Sequence, residues 1–81
     1  MDKKDQLAEL ISNAETSFYN GQLQEAFSLS LSAIKLDENC ADAYQCATNV
    51  CMSLSRYEDA IEYYQKVQIY IMLITQIEMN L

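Results

Sequence analysis

Residues 41–67 read ADAYQCATNVCMSLSRYEDAIEYYQKV. Tyr44, Ala47, Val50, Cys51 and Leu54 recur at the three-and-four spacing that lines one face of an α-helix. Tyr57, Ala60, Ile61, Tyr64 and Val67 repeat that spacing after a short polar break. Ser55-Arg56-Tyr57-Glu58 at the break fits the S-x-x-E capping box. In such a box a serine hydroxyl and a glutamate satisfy the first free amides of a helix, so Ser55 is the expected N-cap. Glu62 and Lys66 form an oriented i,i+4 pair on the helix that follows. The segment is therefore expected to be a helix, a tight turn and a second helix.

The same pattern precedes it. Leu7, Leu10, Ile11, Ala14 and Phe18 make an amphipathic stripe that ends at Asn20-Gly21, because glycine accepts the left-handed conformation at a helix C-terminus. Leu23, Ala26, Phe27, Ser30, Ala33 and Ile34 make another, broken by Asp37-Glu38-Asn39, with Asn39 or Cys40 near the start of the third helix. Phe27 to Ser32 alternate apolar and polar as a half-buried strand would. Ala26 and Ala33 flank that run at helical spacing, and a lone strand has no ladder partner, so it too is assigned to helix.

Composition supports an all-α chain. With one glycine and no proline in 81 residues, the tight turns of a small barrel or sandwich are hard to build. A chain that is 51% apolar and 21% charged is outside the disordered range. Its net charge is −7, and Lys3, Lys4, Lys35, Arg56 and Lys66 are scattered, leaving no basic stripe for nucleic acid or an anionic membrane. There is no histidine, and Cys40, Cys46 and Cys51 form no C-x-x-C. No metal or other cofactor is expected, and free thiols favour a reducing compartment. MDKKDQ at residues 1–6 is charged rather than the apolar core of a signal peptide. The expectation is a soluble, intracellular, cytoplasmic chain.

Setting residues 7–40 against 41–74, an offset of 34, superposes the two helix pairs. Leu10 falls on Tyr44, Ala14 on Thr48, Phe18 on Met52, Ala26 on Ala60 and Phe27 on Ile61. Size is kept where identity is not, as close helix contacts require. With this period, Tyr44, Thr48, Tyr57, Ala60, Tyr64 and Val67 resemble the tetratricopeptide (TPR) repeat family, and Leu10, Ala14, Gly21, Ala26, Ala33 and AIKLDEN (33–39) match in the first unit. The resemblance covers residues 7–68 and departs from the family at Ser17 and Ser30, which replace aromatics and should loosen the first pair, and at Glu38, which replaces a proline. It implies a single domain over residues 1–81, with repeats at about 7–40 and 41–68, both antiparallel α-hairpins, and a helical extension over 69–81.

The family binds peptides on a concave face formed by the first helix of each repeat. By position, that face would carry Ile11, Glu15, Phe18 and Tyr19 with Asp42, Gln45, Asn49 and Met52. Phe18 and Met52 also suit a core, Glu15 and Asp42 suit solvated charges, and Gln45 and Asn49 suit an idle surface. One branch grips acidic chaperone tails with lysine and asparagine. The matching positions here hold Ile11, Glu15 and Cys46, so an acidic tail is disfavoured and a basic or amphipathic peptide is expected. No nucleophile, base and oxyanion donor come together in the sequence, so a scaffold or adaptor is expected rather than an enzyme.

The stretch VQIYIMLITQIEMNL (67–81) is too interrupted to span a membrane, which takes about 20 apolar residues. The family pattern would place a polar loop at 69–74, yet these residues are all apolar, and helix four should simply continue. Ile69, Ile71, Met72, Leu73, Ile74 and Ile77 are then candidates for self-association as a homodimer. The chain as a self-associating structural segment, or as a fragment of a longer repeat protein, is the second expectation. A kink near Gln68 that folds the tail back over helix four is the alternative to a dimer.

Overall fold

The computed structural model describes residues 2–79, and the side chain of residue 79 lies outside that description, as do Asn80 and Leu81. Four helices follow in order, α1 (Lys3–Tyr19), α2 (Leu23–Leu36), α3 (Ala41–Ser53) and α4 (Tyr57–Met79), with no strand among the described residues. α1 packs on α2 and α3 on α4 as helical hairpins, while α2 joins the two pairs by packing on α3. α1 also touches α3, and this contact creates the cleft described below.

The helix ends are set by local chemistry. The Asp2 carboxylate accepts the Asp5 amide at 2.9 Å and caps α1. At the other end Gly21 has φ +80°, and the Gln22 and Gly21 amides donate back to the Ser17 and Phe18 carbonyls at 2.8 and 3.1 Å. The turn after α3 closes in the same way. Ser55 has φ 61°, Arg56 N–H donates to Cys51 O at 2.8 Å, and Ser55 N–H donates to Met52 O at 3.2 Å. Both turns are Schellman motifs. Ser55 is thus the left-handed residue that ends α3 rather than the N-cap of α4, and the expected capping box is not made. Nor is the expected Glu62–Lys66 pair; among the described residues the ion pair at the start of α4 is Arg56–Asp59, at 2.9 Å.

The core is built from small side chains. Ala14, Ala26, Ala33, Ala43, Ala47 and Ala60 are all buried, and the largest fully buried side chains are Val50, Cys51 and Ser30. Helix axes can come close only where such residues meet. Ser17 and Ser30 are buried too, and α1 packs on α2 as extensively as α3 packs on α4. The Ser30 hydroxyl donates to Ala26 O at 2.8 Å and the Thr48 hydroxyl to Tyr44 O at 2.8 Å, which removes the cost of burying them. Larger side chains seal the rim between the hairpins. Phe27 meets Tyr63 edge-on at 6.5 Å, and the Arg56 guanidinium lies 4.7 Å from the Phe27 ring centre. The buried Tyr44 donates its hydroxyl to Glu38 O at 2.8 Å and pins the α2–α3 loop.

α4 is continuous through Gln68, so there is no kink and residues 69–79 do not fold back as a cap. No helix among the described residues is long and apolar enough to cross a membrane.

Candidate peptide-binding cleft

α1 and α3 lie side by side and leave a cleft of about 160 Å³ between them. Its floor is Ala14, Cys46 and Val50, buried residues whose small size keeps the two helices close. Its walls are Glu15, Phe18 and Tyr19 from α1, and Asp42, Gln45 and Asn49 from α3. The rings of Phe18 and Tyr19 meet edge-on at 5.6 Å, and Tyr19 is 82% exposed. Gln45 Nε2 donates to Asn49 Oδ1 at 3.1 Å, which leaves the Asn49 amide nitrogen and the Gln45 carbonyl oxygen free for another partner.

Two carboxylates and no base face this cleft. Their field reaches its floor: the Cys46 thiol is pushed up to about 11, first by burial and then by the charges of Glu15 and Asp42. A thiol held protonated at neutral pH is a poor nucleophile. The cleft can accept a cation beside an aromatic pair and hydrogen-bond a backbone. It is smaller than the roughly 300–1,000 Å³ of a pocket for a drug-sized ligand, and suits one or two side chains of a longer partner.

Six of the expected groove residues therefore meet, and two do not. Ile11 lies half-buried further up α1, outside the cleft. Met52 is 54% exposed, so it does not fill a core, and it lines a neighbouring hollow between α3 and α4 with Thr48, Ala60, Ile61 and Tyr64. Gln45 and Asn49 border both depressions. Cys46, which the resemblance put at a clamp position, and Val50 are not among the expected groove residues yet line the cleft. Their positions four and eight residues after Asp42 on α3 are the signal that would have found them.

The tail residues Ile69, Ile71, Met72, Leu73, Ile74 and Ile77 are each more than half exposed along α4. Of the three free cysteines, Cys46 and Cys51 are buried and Cys40 is half-buried. No protein-family model matches the chain, and no curated protein or solved structure is significantly similar to it.

Proposed function

We propose that the chain is a protein-interaction module built from two tetratricopeptide-like repeats, a scaffold or adaptor that binds a basic or amphipathic segment of a partner in the α1/α3 cleft. The observation that carries this reading is that Glu15 and Asp42, on helices that are not consecutive, face one cleft beside the Phe18–Tyr19 ring pair, with no basic residue among them. A lysine or arginine of the partner would sit between the carboxylates with its charge near the rings. The paired amides of Gln45 and Asn49 would meet the partner backbone. The turns alike at Gly21 and Ser55, 34 positions apart, support the repeat assignment. Three free thiols support a reducing, intracellular setting.

The experiment is a titration, followed by the amide signals of Tyr19 and Asn49, with a lysine-rich amphipathic peptide and with an acidic peptide of equal length. The basic peptide should bind, and Glu15→Lys should weaken it by roughly tenfold or more, as expected for reversing one charge of a contact. Binding of the acidic peptide instead, or an affinity untouched by Glu15→Lys, would overturn the proposal.

A further inference from the structure

We infer that the α3/α4 face is a docking surface for a second copy of this chain, paired two-fold with the α4 helices antiparallel; this inference does not depend on the peptide cleft. Tyr57, Ile61, Tyr64, Gln68, Ile71 and Thr75 recur at four-and-three spacing and form one stripe along α4. Ile61 is 59% exposed and Tyr64 46%, Met52 of α3 adjoins them, and Met72 lies four residues after Gln68 further along α4. Glu58, Glu62 and Lys66 lie on the opposite flank, and the stripe meets a charge only near its end, at Glu78. In a chain of net charge −7, an uncharged face is where a copy can approach without repulsion.

Two of the polar groups of the stripe have partners within α4. Gln68 donates its amide to the Tyr64 hydroxyl, and the Thr75 hydroxyl donates to Ile71 O at 2.8 Å. These bonds lower the cost of burying the face. Its counterpart in the first hairpin is buried already. Thirty-four positions earlier, Ile61 becomes Phe27, Tyr64 becomes Ser30 and Met52 becomes Phe18, and these are half-buried or fully buried where α3 packs on the first hairpin.

Area and symmetry favour a copy in a closed pair. The chain exposes 5651 Å², roughly 700 Å² more than the about 5,000 Å² of a compact protein of its 9.3 kDa mass. One side of a stable interface hides about 800 Å². Head-to-tail stacking is disfavoured, because the opposite end of the array presents exposed Glu9, Asn13 and Thr16 on α1. A two-fold pair sets apolar stripe on apolar stripe and leaves that polar end in water.

Sedimentation of the 81-residue chain at several concentrations tests this, alongside two double variants. Ile61→Glu with Ile71→Glu places charge on the stripe. Ile69→Glu with Leu73→Glu places the same charge on the flank shared with Glu62 and Lys66. The native chain and the flank variant should be dimers, with the stripe variant a folded monomer by circular dichroism, its dimer weakened roughly a hundredfold or more by burying the new carboxylates. If the stripe variant fails to fold, Ile61→Ser with Ile71→Ser replaces it and should weaken the dimer at least about tenfold. A native monomer at high concentration, open-ended oligomers, or equal losses from stripe and flank variants would overturn the inference. A native monomer would leave the face to a different protein partner.

Discussion

The Tyr70 hydroxyl donates to Asn39 Oδ1 at 2.9 Å, joining α4 to the α2–α3 loop across 31 positions of sequence. Asn39 is itself held in place by its amide, which donates to Asp37 Oδ1 at 2.9 Å. This bond lies near the point where α4 outruns α3. About six residues further on, each adding roughly 1.5 Å, the helix is well clear of the body of the protein.

Tyr70→Phe should therefore loosen the end of α4 more than it loosens the core. The expected cost is about 0.5–1 kcal/mol, modest because the bond is exposed. Amide hydrogen exchange should speed up for residues 70–79 and stay unchanged in α3. Uniform acceleration would mean that the bond supports the whole fold.

Ala60 is 2% exposed at the contact of α4 with α3. Ala60→Leu should destabilise by about 1–3 kcal/mol through overpacking, read as a lower denaturant midpoint with an unchanged slope. A neutral effect would show that the two helices can separate there without cost.

The two hairpin turns make opposite predictions. Gly21 has φ +80° with nothing within 4 Å of an added Cβ, so Gly21→Ala meets conformational strain alone and should cost about 1 kcal/mol. Ser55 holds the same left-handed geometry with a Cβ, at φ 61°. Ser55→Gly should stabilise by roughly 0.5–1 kcal/mol, less than the full strain because glycine loses more entropy on folding. Thermal unfolding of the two variants should shift in opposite directions.

Cys46 ties stability to alkaline pH. Burial, then Glu15 and Asp42, raise its thiol to about 11 from 9.0, so the folded chain keeps a proton that the unfolded chain releases first. The contribution is complete below pH 9.0 and is lost as pH rises toward about 11. Denaturant midpoints should fall across that range, and Cys46→Ala should flatten the fall. Alkylation of Cys46 in the folded protein at neutral pH should be slow, and Glu15→Gln with Asp42→Asn should make it faster.

The four helices follow from the spacing of apolar residues and from the Asn20-Gly21 and Asp37-Glu38-Asn39 breaks, since periodicity and turn chemistry are local properties. The same locality explains where sequence is ambiguous. Ser55-Arg56-Tyr57-Glu58 suits a helix start as well as it suits the turn that ends the helix before it. The antiparallel packing of α4 on α3 decides between them, by requiring a reversal that only a left-handed residue at 55 provides. Glu15 and Asp42 could be aligned by their positions in the two hairpins, but their meeting over Cys46 depends on α1 touching α3. Phe18 and Met52 carry the same spacing and similar size, yet one is half-buried and the other is 54% exposed. Periodicity determines which face of a helix is apolar. Whether that face is covered depends on a neighbour: Phe18 has the second hairpin beside it, whereas Met52 looks onto the side of α3 and α4 where the described chain supplies no further helix.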